Sequence, residues 1–323
     1  MNDPGGDLKP LDFEPRTAQF REEVLAGLRS RPKTLPCKYL YDEAGSRLFD
    51  RICELDEYYP TRTEMAILRE RIGEIAAVLG PDDVLIEYGS GSSTKIRILL
   101  DALDRLAAYI PIDISCDHLQ RSAEDLAASY PDLPVLPVCA DYTGTFALPP
   151  VRADAARKIV FFPGSTIGNF EPEEAVGFLR GIAAVVDRGG GLLIGVDLKK
   201  DRAVLEAAYN DAEGVTAAFN LNLLHRINRE LEADFDPDRF RHEAIYSEEH
   251  GRIEMHLVST VAQTVTIDGI EIRFEAGETV HTESSYKYAP EEFAALAGEA
   301  GFAVERFWTD AKRLFSIQYL VVA

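Results

Sequence analysis

A chain of 323 residues is long enough for one large domain or two intimately joined ones. Its content of 46% hydrophobic and 28% charged residues is that of an ordinary globular protein. The formal net charge of −21 is unusual and repels phosphate backbones and anionic lipids, so neither nucleic acid nor a membrane surface is an expected partner.

Residues 1–16 read as a polar lead, whose opening MNDPGGD lacks the basic start and apolar core of a signal peptide. No apolar run approaches the roughly eighteen residues that span a bilayer, so a cytoplasmic protein is expected. Phe20, Val24, Leu25 and Leu28 recur at helical spacing within 17–31, and further helical patterns occupy 43–55 and 61–80. The texture then changes to short apolar runs (84–86, 108–112, 134–139, 158–162 and 191–196) separated by helical stretches of about a dozen residues. That alternation predicts βαβ units around a parallel sheet, with ligands gathered at the C-terminal strand ends.

After Asp197 the alternation stops. Residues 200–232 read as helical, and 240–288 as antiparallel strands with an Asp268-Gly269 hairpin turn. A helix over 290–300 and strands over 302–308 and 315–322 resume the earlier pattern. The expected organisation is a sheet domain of 61–197 and 287–323, interrupted by an α+β insertion at 198–286 that packs with residues 1–60.

The strongest local signal is Val84-Leu85-Ile86-Glu87-Tyr88-Gly89-Ser90-Gly91, a buried strand running into a glycine turn that opens a helix. Glycines admit a ligand close to the backbone, and the helix start offers free N–H groups. A phosphate loop needs glycine before Lys95, and Thr94 stands there. Thr94 also occupies the place of the third glycine of a dinucleotide fingerprint. S-adenosylmethionine remains: it carries no phosphate, and its ammonium and sulfonium welcome an acid such as Glu87. Asp113 ends the next strand, where an acid can accept both ribose hydroxyls, and Asp141 ends the third, where adenine is read. The strand count, with a final antiparallel pair, resembles the class I Rossmann-like methyltransferase sheet, which is the fold expected.

The cysteines Cys37, Cys53, Cys116 and Cys139 form no C-x-x-C pair, which predicts neither a zinc site nor a disulfide framework. The six histidines lack metal spacing, so no metal site is expected.

Beyond the nucleotide turn, several segments are distinctive: KYLYD at 38–42, EYYPTRTE at 57–64, GSGS at 89–92 with Lys95, GSTIGN at 164–169, YNDAEGVTAAFN at 209–220 and TESS at 282–285. Through them the chain, from about residue 20 onward, resembles the histidine-specific N-alpha-methyltransferases of ergothioneine biosynthesis. The resemblance implies N-alpha-trimethylation of a small amino acid, L-histidine, by a protein read as a monomer. It implies cofactor contacts at Gly89, Lys95, Asp113, Asp141 and Tyr142, to which the turn itself adds Glu87 and Gly91. It implies substrate contacts at Tyr58, Asn169, Tyr209, Glu283 and Ser285, with Met255 near the pocket and Tyr41 near the reacting amine. In this scheme Asn169 and Tyr209 take the substrate carboxylate, and Glu283 with Ser285 the imidazole. Tyr88 stands where the family often has a smaller aliphatic residue, and its side chain is expected to point away from the ligand.

The chemistry of the residues agrees. Glu283 and Ser285 are two apart on a predicted strand and so share a face. A carboxylate and a hydroxyl together can pair with both nitrogens of an imidazole. Two rivals carry weight: a methyltransferase of the same family acting on another amino acid such as tryptophan, and a non-catalytic adenosylmethionine-binding module. A protein- or nucleic-acid-directed enzyme fits less well, because Phe162-Pro163-Gly164-Ser165 replaces the Asn/Asp-Pro-Pro-Tyr motif of many such enzymes.

Overall fold

The computed structural model describes residues 11–13, 17–91, 93–144, 146–152 and 155–323; Ser92 of the glycine turn and most of the polar lead lie outside them. The N-terminal part comprises β1 (Leu11–Phe13), α1 (Thr17–Arg29), β2 (Lys33–Thr34), α2 (Glu43–Glu54) and α3 (Tyr59–Ala76). There follow β3 (Val84–Tyr88), α4 (Thr94–Leu100), β4 (Ala108–Asp113), α5 (Cys116–Ser129), β5 (Val138–Ala140), β6 (Lys158–Phe162), α6 (Pro172–Val186) and β7 (Gly191–Asp197). Next come α7 (Arg202–Tyr209), α8 (Val215–Leu231), β8 (Phe240–Ser247), β9 (Arg252–Ser259), β10 (Gln263–Ile267), β11 (Ile270–Phe274) and β12 (Thr279–Tyr286). The chain ends with α9 (Pro290–Glu299), β13 (Phe302–Thr309) and β14 (Phe315–Val322).

The main sheet has the order β1-β5-β4-β3-β6-β7-β14-β13. Strands β3 to β7 are parallel, and β14 runs antiparallel to both β7 and β13. Both faces are covered, which is why these strands read as continuous apolar runs. Val84, Ile86 and Tyr88 pack to one side with Phe162 and Leu179, while Leu85 packs to the other with Tyr109 and Ile96. Strand order reverses between β3 and β6, the crevice where open α/β sheets bind ligands.

A second sheet, β2-β12-β9-β8, joins the N-terminal part to the insertion. Phe20, Val24, Leu28, Tyr39 and Tyr58 share one buried cluster with Phe219, Leu224, Met255 and Leu257. The Asp268-Gly269 turn closes the β10–β11 hairpin as expected, with positive φ at both residues.

Three expectations change. Within the polar lead, Leu11–Phe13 pairs in parallel with β5 and extends the sheet by one strand. The helical stretch 200–232 breaks in two, because the Asp211 carboxylate caps α8 by accepting the N–H groups of Val215 and Thr216, both at 2.8 Å. The cysteines are not all free: Cys116 and Cys139 are joined as a disulfide with Cα atoms 5.2 Å apart. The start of α5 and the end of β5 meet across the sheet, a proximity that sequence spacing does not reveal.

Candidate active site

One cavity of about 1050 Å³ opens at the C-terminal ends of the parallel strands, beneath the N-terminal part and β12. Its walls include Gly89, Gly91, Asp113, Asp141 and Tyr142 on the sheet side, and Tyr41, Asn169 and Glu283 on the other. Some residues from each group that the sequence assigned, to cofactor and to substrate, therefore line one space.

On the sheet side, Gly89 and Gly91 take positive φ of 72° and 47°. This left-handed backbone favours glycine and bends the chain off β3 into α4. A Cβ on Gly89 would make only ordinary contact with the Tyr142 ring at 3.8 Å, so it is the backbone conformation rather than crowding that calls for glycine there. Asp113 accepts the N–H of Gly91 at 3.2 Å and of Ser115 at 2.9 Å. Burial raises its pKa against these bonds. Asp141 accepts from Lys38 at 3.2 Å, which ties the N-terminal part to the end of β5. Tyr88, expected to point away, instead lines the cavity and stacks on Tyr142 with ring centroids 5.6 Å apart. It is the even-numbered partner of Val84 and Ile86 on the strand, and that face opens to the cavity at the strand end.

Glu87 and Lys95 lie behind the turn and are not cavity walls. Tyr109 donates its hydroxyl to Glu87, and burial pushes the Glu87 carboxyl up to about 8. Lys95 lies 2.6 Å from Glu64, a fully buried carboxylate on α3. Burial works to lower the Lys95 pKa, but Glu64 outweighs it and holds the ammonium above its ordinary value. Glu64 also accepts the Gly164 N–H at 2.9 Å. It occupies the space above Gly195, where a Cβ would clash at 2.1 Å. One carboxylate thus fixes the loops after β3 and β6. Sequence reasoning missed it as a site residue, although it stands inside the EYYPTRTE segment.

On the other side, Glu283 and Ser285 sit opposite Met255 and Ile253 across the β12–β9 ladder. Glu283 is 7% exposed, lines the cavity, and its Oε2 has no hydrogen-bond partner. Burial pushes its carboxyl up to about 7, with Lys287 opposing. Tyr209 donates to Ser285 Oγ at 2.8 Å. Tyr41 packs edge-on against Phe49 and Phe219, and Tyr58 against Tyr209. Tyr58, Tyr209, Met255 and Ser285 are buried and are not among the residues that line the cavity. Asn169 ends a 3-10 turn, Thr166–Asn169, pressed against β12 so closely that a Cβ on Gly168 would lie 2.7 Å from the Tyr286 carbonyl oxygen. The cap of α6 is Glu171, which leaves the Asn169 side chain to the cavity.

Behind Tyr209 and Ser285 is a buried polar group that the sequence did not announce. Lys287 lies 3.0 Å and Lys200 2.5 Å from Asp197, and Tyr59 donates to the same carboxylate at 2.7 Å. Burial opposes ionisation of Asp197, but the two lysines hold its pKa below the ordinary value. Among the described residues no cluster of His, Cys, Asp or Glu is placed to hold a metal ion.

The reversed β14, the glycine turn after β3 and acids ending β4 and β5 together define a class I S-adenosylmethionine-dependent methyltransferase. Within that class the chain belongs to the family of S-adenosylmethionine-dependent, histidine-specific methyltransferases, whose model matches residues 20–322. It is 44% identical to the histidine N-alpha-methyltransferase of Mycolicibacterium smegmatis, over 94% of each chain. It is 34% identical to ergothioneine biosynthesis protein 1 of Neurospora crassa, over 90% of this chain and 34% of that one. It is also 29% identical to an L-tryptophan methyltransferase of Psilocybe serbica, over 93% of this chain and 92% of that one.

Proposed function

We propose that this chain methylates the α-amino nitrogen of L-histidine three times, giving the betaine hercynine, a step of ergothioneine biosynthesis. The observation that carries the substrate is Glu283: a buried carboxylate with an unpartnered oxygen at the cavity wall, two residues from Ser285. A buried acceptor without a donor is costly, and a ring N–H supplies one. A phenyl ring would leave it orphaned.

S-adenosylmethionine supplies a methyl group already activated by its sulfonium. The chain's own contribution is position and environment. Asp113 is suited to the ribose hydroxyls, Asp141 and Tyr142 to the adenine, and the glycine backbone at 89 and 91 to close approach. Glu87, Lys95 and Glu64 act from behind by holding the turn. Asn169 and Tyr58 offer neutral donors to the substrate carboxylate, while the Tyr209 hydroxyl donates to Ser285. Burial and the nearby Glu283 carboxyl raise the Tyr41 phenol well above its ordinary pKa, so it stays protonated and orients the amine rather than deprotonating it. The aromatic wall of Tyr41 and Phe49 desolvates the ammonium, which eases loss of its proton to water.

In this reading residues 1–60 and 198–286 form a substrate-binding unit, set on a cofactor-binding unit of 61–197 and 287–323. The protein works as a cytoplasmic monomer. Among the described residues no helix is long and apolar enough to cross a membrane. Calorimetry of amino acids against the protein with S-adenosylhomocysteine tests the assignment. Histidine should bind well ahead of tryptophan and phenylalanine; tighter binding of tryptophan would transfer the assignment to the second amino acid.

A further inference from the structure

Lys287 stands just past the end of β12, and its side chain returns to the layer behind Glu283. It is 2% exposed. Its three ammonium hydrogens have three partners: Asp197 at 3.0 Å, Ser285 Oγ at 2.7 Å and Tyr209 Oη at 3.1 Å. An ammonium can only donate, so both hydroxyl oxygens must accept on that side. Ser285 Oγ also accepts the Tyr209 hydroxyl at 2.8 Å. A serine oxygen has two acceptor positions, and these two donors fill them. The one capacity left to Ser285 is its own O–H, as a donor. Glu283, when ionised, can only accept. Donor and acceptor two residues apart match the lone pair and the N–H of a neutral imidazole.

We propose that Lys287 is a positioning residue for substrate specificity: it locks the Ser285 hydroxyl as a donor toward the substrate ring, while Glu283 remains the acceptor. The proposal rests on the assignment of Glu283 and Ser285 to the ring. Asp197 keeps Lys200 and Tyr59 when Lys287 is removed, so its charge stays balanced.

The test is a double-mutant cycle of Lys287→Met and Ser285→Ala. Dissociation constants of histidine and of β-(2-thienyl)alanine, whose ring has no nitrogen, are measured by calorimetry with S-adenosylhomocysteine bound. Lys287→Met should lower the preference for histidine at least ten-fold, leave the thienyl ligand within about two-fold, and add nothing in the Ser285→Ala background. Affinity for S-adenosylhomocysteine should stay unchanged. Lys287→Gln, which keeps a donor and loses the charge, should restore part of the preference; it also serves if the methionine variant does not fold. Equal losses for both ligands, or additive effects of the two substitutions, would overturn the proposal by making Lys287 a support of the fold alone. If Ser285→Ala by itself leaves the preference intact, the ring assignment fails first and takes the proposal with it.

Discussion

The Lys95 ammonium and the Glu64 carboxylate lie 2.6 Å apart beneath the glycine turn, Glu64 with no exposed surface. Glu64 comes from α3 and Lys95 from α4, so the pair joins the start of the sheet domain to its nucleotide turn. Removing one partner leaves the other charge buried and uncompensated. Glu64→Ala should therefore cost about 3–5 kcal/mol of folding stability, while Glu64→Leu combined with Lys95→Met should cost less than the single change. Urea unfolding measures both; a double variant worse than Glu64→Ala would show that the charges themselves stabilise the fold.

Asp113→Ala probes the ribose site. Loss of charge-assisted bonds should weaken S-adenosylhomocysteine binding by about 1.5–3 kcal/mol. Histidine binding in the pre-formed complex should change little, because Asp113 stands across the cavity from Glu283. Calorimetry showing unchanged cofactor affinity would remove Asp113 from the site.

Glu283 makes stability depend on pH in a defined window. Its folded pKa is raised from 4.5 to about 7, so between those values the folded state binds more protons than the unfolded one. Stability without substrate should thus fall as pH rises through this window, by up to about 3 kcal/mol. Glu283→Gln should remove that slope while leaving the same-signed one from Glu87. Denaturant titrations of both proteins at several pH values measure the difference; parallel pH profiles would mean that Glu283 is not buried as described.

Much of this was legible in the sequence because apolar runs and glycines carry local signals. The strand β3 with Gly89 and Gly91 and the acids at 113 and 141 stand where the periodicity put them, and the strand–helix alternation gives way to successive helices after Asp197. The Tyr88 ring was misread because its direction depends on how the strand face opens at its end. Glu64, Lys287 and Asp197 were missed because burial of a charge is a tertiary fact: a lone acid or lysine in the sequence reads as solvated surface. Likewise the Cys116–Cys139 bond arises only once β4 and β5 lie side by side.

Glu283→Ala tests recognition of the ring. It should cost histidine on the order of 2–4 kcal/mol in kcat/KM, through loss of a charged hydrogen bond in a buried site. Phenylalanine, whose ring has no N–H to offer the carboxylate, should lose nothing. Equal losses for histidine and phenylalanine would make Glu283 a structural residue.

The central claim is the chemistry at the α-nitrogen of histidine, and product analysis tests it most directly. Purified protein incubated with histidine and S-adenosylmethionine, followed by mass spectrometry with fragmentation, should show mono-, di- and then trimethylated histidine, every methyl on the α-nitrogen. Methylation confined to a ring nitrogen, or turnover of tryptophan with none of histidine, would contradict the account.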